Sequence, residues 1–455
     1  MVSVSGVRGR IGEALTPEVV ATFAAAFGQW ARSTAGATAD RRASVVLGRD
    51  SRVSGPMLRH AVLAALESVG VDVIDLGVVP TPTVQLAVEH HHAAGGLAIT
   101  ASHNPVEWNA LKFIGPSGLF LEAHEGEAMR RLLDAPIPRA GWDALGRFRE
   151  DPHAVDRHLD AVLALPFIDV EAIRARRFVV ALDCVRGAGG RIMTALLDRL
   201  GCTVHAIHLE ADGRFPREPE PTADHLDELA ALVRAHQAVI GFATDPDVDR
   251  LALVDETGTA IGEDYTLALA TRLVLRHRTG PVVSNLSTSL VVEDEARAAG
   301  APFLRAPVGE VNVAVRMRES GAVIGGEGNG GVILPALHLG RDAPVGVALV
   351  LQLLAETGRT VSSFVAERPR YAIVKDKLAR PSASLAEVYG ALERQFADAT
   401  PDRQDGLRLS WGDRWLHVRP SGTEPIVRVI AEAPSVDAAR ALIDAARAPL
   451  AALAA

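Results

Sequence analysis

The chain's 455 residues exceed what one hydrophobic core usually supports, so about three or four domains are expected. Apolar residues at 48% and charged residues at 23% describe an ordinary globular protein. The net charge of −9 argues against nucleic acid or anionic membrane as a partner, so an anionic ligand needs local arginines. Two cysteines, Cys184 and Cys202, are too few for a disulfide framework and favour a reducing, cytoplasmic setting. The first ten residues lack a signal-peptide core, and no run is apolar for long enough to span a membrane.

Strand and helix patterns alternate along the chain. Residues 44–50 predict a buried strand, after which Ser54, Gly55 and Pro56 open a helix. Residues 71–76 and 96–100 add strands, with a helix near 82–89 between them. A second cycle predicts a strand at 177–183, a helix near 191–200 and strands at 203–209 and 238–243. A third runs from Leu251 through a helix at 265–277 to strands at 281–285 and 322–324. The remainder predicts a hairpin, 407–411 and 415–419 about Gly412 and Asp413, then a strand at 426–431 and an alanine-rich helix from Ser435. The fold class is therefore three mixed α/β domains and a C-terminal α+β domain, with expected spans 1–150, 151–252, 253–368 and 369–455.

Four loops carry the chemistry. Thr100-Ala101-Ser102-His103-Asn104-Pro105 puts a hydroxyl at the tip of a loop after an apolar strand, with Lys112 following. Alone, such a serine reads as a turn residue, because a hydroxyl without help is a poor nucleophile. Asp245, Asp247 and Asp249 lie two residues apart between two apolar strands. In an extended segment they share one side and suit a hard cation such as Mg²⁺ with open positions for a phosphate oxygen. Glu256 completes an EF-hand spacing, but Pro246, Arg250 and the flanking strands reject that motif. A solvated acidic turn remains the competing reading.

Gly325-Gly326-Glu327-Gly328-Asn329-Gly330-Gly331 lets the backbone approach a ligand and offers Glu327 and Asn329 to sugar hydroxyls, against the alternative of a plain hairpin turn. It lacks the lysine and hydroxyl ending of a nucleotide loop. Arg419-Pro420-Ser421-Gly422-Thr423-Glu424-Pro425, followed by Arg428, reads as a metal-free phosphate cup or as a surface turn. Near the start, Gly6-Val7-Arg8-Gly9 sets one arginine between glycines.

With these motifs in this order, the chain resembles the α-D-phosphohexomutase superfamily over essentially its whole length. The resemblance implies four domains around a central cleft, the fourth mobile. It implies that Ser102 carries the transferable phosphate as a phosphoserine. It makes Asp245, Asp247 and Asp249 the Mg²⁺ ligands, with the Ser102 phosphate completing the site. Arg8, Lys112 and His103 then fall near the reacting oxygens, with Lys112 the proton-transfer candidate. Glu327 and Asn329 read the sugar, Arg250 binds substrate, and Arg419, Ser421, Gly422, Thr423 and Arg428 hold the non-reacting phosphate.

The implied reaction interconverts hexose 6-phosphate and hexose 1-phosphate through a 1,6-bisphosphate, which also serves as activator. The sequence leaves monomer and homodimer open. Many relatives have glycines at the positions of Pro246 and Val248, serine at that of Asn329 and histidine at that of Gly331. The missing histidine shifts acid–base work onto Lys112. Glu310, in Val308-Gly309-Glu310, fits a second sugar-reading loop. The serine and C-terminal loops favour glucosamine phosphate, with mannose or glucose phosphate as the alternative. A bisphosphate synthase, a phosphatase and an inactive sugar-phosphate sensor are the more remote readings; the intact serine and aspartate motifs oppose the last.

Overall fold

Ser44–Arg49, a run of valines and leucine, forms an inner strand of a seven-stranded sheet. It pairs in parallel with Asp72–Val78 on one side and Gly95–Ile99 on the other. Alternate residues face two cores: Val45 and Leu47 share one with Phe27 and Leu66, Val46 shares the other with Val84 and Val88. Helices therefore cover both faces, as parallel strands require. The computed structural model describes residues 2–3, 6–36, 42–379, 384–421 and 426–452.

Four strands of this sheet escape the sequence reading: Val2–Ser3, Gly6–Arg10, Trp108–Ile114 and Phe148–Glu150. Gly6–Arg10 and Trp108–Ile114 pair antiparallel, Gly6 opposite Lys112, and Trp108–Ile114 also pairs with Gly95–Ile99. Arg8 and Lys112 are thus strand residues, Lys112 on the strand beside the one that ends at the serine loop and Arg8 one strand further out.

The second sheet has the order Leu251–Asp255, Ile240–Thr244, Val179–Asp183, Thr203–Ile207, so it extends past residue 252. The third has the order Phe303–Ala306, Val282–Asn285, Ile324–Glu327, Gly331–Leu334, His338–Arg341. Its last strand was also not predicted. The glycine-rich segment is correspondingly shorter as a loop: Gly325, Gly326 and Glu327 are strand, and only residues 328–330 turn the chain.

Helix Ala343–Thr357 explains how these units cohere. It is apolar around its circumference, and every residue from Ala343 to Leu354 is buried. Its N-cap Asp342 accepts from Val345 N at 3.1 Å and also takes His158 Nε2 at 2.8 Å and His338 Nε2 at 2.9 Å. One core consequently joins Val46, Leu182, Leu251 and Leu349 across three sheets. The C-terminal unit keeps its own core, in which Leu416, Val429 and Ile443 pack. Its antiparallel sheet has the order Ala372–Ala379, Ile426–Ala433, Trp415–Pro420, Leu407–Ser410, Thr400–Asp402, and helix Val436–Ala452 packs on it.

Candidate active site

The serine loop is held by two residues that its own sequence does not announce. Arg52 is fully buried and donates to the carbonyls of Ser102, Asn104 and Pro105, each at 2.6 Å, and of Trp108 at 3.0 Å. Its Nε is anchored on Asp50 Oδ2 at 3.0 Å, which also accepts from Thr100 Oγ1 at 2.7 Å. Ser102 sits at φ +49°, a left-handed conformation uncommon for a side-chain-bearing residue, and its N–H donates to Thr100 Oγ1 at 2.9 Å. The scaffold thus fixes a strained tip and aims the hydroxyl.

Its target lies far along the chain. Ser102 Oγ donates to Asp245 Oδ2 at 2.8 Å. Asp245, Asp247 and Asp249 are buried, and one oxygen from each lies within 4.8 Å of the others. Their convergence has a different cause from the extended spacing expected. The segment is a tight turn: Asp245 Oδ1 accepts from the N–H groups of Asp249 and Arg250, both at 3.2 Å. Val248 takes φ +62° at the turn, which makes the glycines of many relatives intelligible.

Three buried carboxylates so close cannot all ionise unaided. Burial and the neighbouring Asp249 and Asp247 hold Asp245 well above the ordinary aspartate range. Burial opposes the Asp247 charge too, but Lys112 and hydrogen bonds from Asp245, Lys112 and Thr81 keep that carboxyl below its ordinary range. Asp247 Oδ1 and Asp249 Oδ1 are buried with no hydrogen-bond partner. An all-oxygen set with two orphaned acceptors fits Mg²⁺.

Cations surround this group. Lys112 Nζ lies 2.6 Å from Asp247 Oδ2 and 3.7 Å from Asp249 Oδ2. Burial pulls its pKa down, but Asp247 and Asp249 more than offset that, and the amine stays protonated. Arg8 Nη1 donates to Asn104 Oδ1 at 2.7 Å, and Arg250 Nη1 pairs with Glu220 at 2.5 Å. His103 lines the same space; burial, with Arg250, Arg8 and Arg341 nearby, pushes it down to about 2, so the ring is neutral.

A cavity of about 500 Å³ is lined by Ser102 and Lys112, the residues that contact Asp245 and Asp247. Arg8, Ser102, His103, Lys112, Arg250, Glu327, Asn329, Arg419 and Arg428 all line it, so most of the residues singled out from sequence come together. Ser421 is described but does not line it, and Gly422 and Thr423 lie outside the described residues. Glu327 accepts from Asn285 Nδ2 at 2.8 Å, Gly309 N at 3.1 Å and Arg341 Nη1 at 2.7 Å. Burial opposes its charge, yet Arg341 and Asn285 hold it below the usual glutamate range. Asn329 turns its Oδ1 back to Gly331 N at 3.2 Å. Across the cavity Arg419 pairs with Asp405 at 3.0 Å, and Asp405 also accepts from Val308 N at 3.1 Å. Sequence reasoning missed Arg52, Asp50, Arg341 and Asp405.

This arrangement can hold a hydroxyl beside a metal-binding cluster and anchor an anionic, polyhydroxylic ligand at its far end. Four family models match in order. Phosphoglucomutase/phosphomannomutase alpha/beta/alpha domain I covers residues 2–136, domain II 156–258, domain III 262–371 and the C-terminal domain 372–448. A protein of Methanopyrus kandleri named "Probable phosphoglucosamine mutase" is 37% identical over 97% of this chain and 95% of its own. A "Phosphoglucomutase/phosphomannomutase" of Thermococcus kodakarensis is 38% identical over 96% of each chain. Among solved structures, a phosphoglucomutase/phosphomannomutase family protein from Burkholderia thailandensis superposes with a TM-score of 0.83 at 26% identity, over 100% of this chain and 98% of that one.

Proposed function

From the premise that this chain belongs to the phosphoglucomutase/phosphomannomutase family, and is thus a phosphohexomutase, we propose how its own residues carry the reaction and which sugar it takes. Ser102 is the phosphoryl carrier. The observation that carries this is its Oγ, 2.8 Å from Asp245 in a cluster with two orphaned carboxylate oxygens.

In the forward half-reaction a hydroxyl oxygen of the hexose monophosphate attacks phosphorus. The P–O bond to Ser102 Oγ breaks as the new one forms, giving the 1,6-bisphosphate. The hydroxyl proton is relayed and Ser102 Oγ is reprotonated by way of Lys112, the amine held against Asp247. Asp245, Asp247 and Asp249 would hold Mg²⁺, which supplies Lewis-acid charge at the transferred group. Arg8 and Arg250 add positive charge on the cavity side.

Glu327 and Asn329 read the hydroxyls, while Arg419 and Arg428, with Ser421, Gly422 and Thr423 of the same loop, grip the phosphate that does not react. The bisphosphate then turns within the cleft and returns its other phosphate to Ser102. A free hexose 1,6-bisphosphate primes the unphosphorylated serine. His103, neutral, serves as a hydrogen-bonding neighbour.

Glucosamine phosphate is the favoured substrate, supported by the Methanopyrus relative and by the serine and C-terminal loops. The Thermococcus relative favours mannose or glucose phosphate as the second reading. A coupled assay of glucosamine, mannose and glucose 6-phosphates, with Mg²⁺ and the matching bisphosphate primer, decides between them. A higher kcat/KM for mannose or glucose 6-phosphate overturns the preference. No helix among the described residues is long and apolar enough to cross a membrane, and a cytoplasmic setting fits phosphorylated sugars as substrates.

A further inference from the structure

Arg341 was assigned no role from sequence, yet it joins three parts of the candidate site. Each of its three guanidinium nitrogens donates to a different carboxylate. Nη2 reaches Asp249 Oδ2 at 2.6 Å, Nη1 reaches Glu327 Oε2 at 2.7 Å and Nε reaches Glu310 Oε2 at 3.0 Å. Its backbone N–H adds a contact to Glu310 Oε1 at 3.3 Å. These acceptors come from three places: the aspartate turn, the strand Ile324–Glu327 and the first residue of helix Glu310–Ser320. The side chain is 9% exposed and faces the cavity.

The stem of Arg341 reaches this position through space that Gly331 leaves open. A Cβ built on Gly331 would lie 2.2 Å from Arg341 Cδ and 2.9 Å from its Cγ. A side chain at 331 and Arg341 in its present place are mutually exclusive. The backbone of Arg341 cannot easily retreat. Residue 341 pairs with Ile333 in the sheet, and the next residue, Asp342, caps the buried helix and holds His158 and His338.

We propose that Arg341 is a positioning residue that sets the sugar-reading carboxylates Glu327 and Glu310 in register with Asp249, and that Gly331 is bare in order to admit it. The proposal rests on the reading of the cleft as a hexose-phosphate site. Asp249 has one oxygen held by Arg341, while the other, Oδ1, has no hydrogen-bond partner and only Arg250 Nε at 3.7 Å. Arg341 therefore orients Asp249 towards a cation without competing for the same oxygen, as partners of metal ligands do. A planar fork is needed, because one ammonium cannot serve three separated acceptors.

The test compares Arg341→Met, Arg341→Lys and Gly331→Ala with the wild-type full-length chain. Calorimetric Mg²⁺ titration of the metal-stripped protein is measured alongside kcat, KM and melting temperature. Arg341→Met weakens Mg²⁺ binding by about 10- to 100-fold and raises KM for the hexose 6-phosphate. Arg341→Lys regains most of the Mg²⁺ affinity, since its ammonium can stay on Asp249, while KM stays at least about tenfold high. Gly331→Ala, which alters no charge, raises KM in the same way.

Wild-type-like Mg²⁺ affinity and KM in Arg341→Met and Gly331→Ala overturn the proposal. So does a uniform loss in all three variants that merely follows a lowered melting temperature. If the wild-type chain turns over no hexose phosphate, the mutase reading fails. The Mg²⁺ titrations still judge the link from Arg341 to Asp249.

Discussion

Ser102 Oγ and Asp245 Oδ2 stand 2.8 Å apart although 143 positions separate them in the chain. The contact joins the tip of one sheet's serine loop to the aspartate turn of the next, and the buried helix Ala343–Thr357 packs the units that carry them into one core. The proposed carrier hydroxyl and the aspartates proposed to hold Mg²⁺ are thereby brought together before any ligand arrives.

Arg52 should prove as necessary to the serine loop as the serine itself. Arg52→Ala removes a donor from four carbonyls and leaves Asp50 buried without its charged partner. A loss of about 3–5 kcal/mol in unfolding free energy is expected, read by denaturant titration. A change below about 1 kcal/mol would show that the loop holds itself.

Lys112→Met tests the proton carrier. The Asp247 contact at 2.6 Å is lost, but the strand Trp108–Ile114 keeps its pairing. The expected result is a kcat lower by about 10²-fold or more, with phosphate still found on Ser102. Unchanged kcat would remove Lys112 from the reaction.

His103 is expected to contribute no titration to catalysis. Burial, with Arg250, Arg8 and Arg341 nearby, depresses it to about 2, so it gains no proton between pH 5 and 9. The pH–rate profile of His103→Gln should keep the wild-type shape whatever its height. Loss of an acid limb in the variant would contradict this.

These predictions rest on a mixture of legible and illegible features. The loops could be read because their chemistry is local: hydroxyl, carboxylates, glycines and arginines sit within a few residues of one another. Most strands were legible from apolar periodicity, whereas helices such as Pro17–Thr34 and the buried Ala343–Thr357 were not predicted. Trp108–Ile114 was not, because Asn109 and Lys112 interrupt an apolar run whose burial comes from neighbouring strands. Arg52 and Arg341 were illegible for a stronger reason. Their acceptors lie up to 56 and 92 positions away, so only the strand order brings them together. The aspartate turn shows a third limit. Its residues were identified, but the left-handed backbone at Val248 that makes them converge breaks the usual preference of a β-branched side chain.

Asp264 offers a pH test of stability away from the chemistry. Burial, opposed by the hydrogen bond from Ser289 N, raises its carboxyl from 3.8 to about 8. The folded chain therefore binds a proton that the unfolded chain releases. This contribution is full below pH 3.8, shrinks as pH rises, and is gone once pH passes about 8. Melting temperature should fall between pH 5 and 9 in the wild type and fall less in Asp264→Asn. Equal slopes would contradict the assignment.

The C-terminal unit is latched by Glu432. It accepts from Leu290 N at 2.9 Å, Trp415 Nε1 at 2.6 Å and the Ser289 hydroxyl, capping a helix of the neighbouring unit. Glu432→Ala leaves these donors unsatisfied, at a cost of about 1–3 kcal/mol. KM should rise more than kcat falls. A fall in kcat alone would separate the latch from substrate binding.

The central claim is that Ser102 carries the phosphate, and intact-mass spectrometry tests it most directly. After incubation with Mg²⁺ and a hexose 1,6-bisphosphate, the wild-type chain should gain one phosphate, mapped to Ser102. Ser102→Ala should gain none and lose turnover with it. A Ser102→Ala variant that still interconverts hexose phosphates at the wild-type rate would contradict the account.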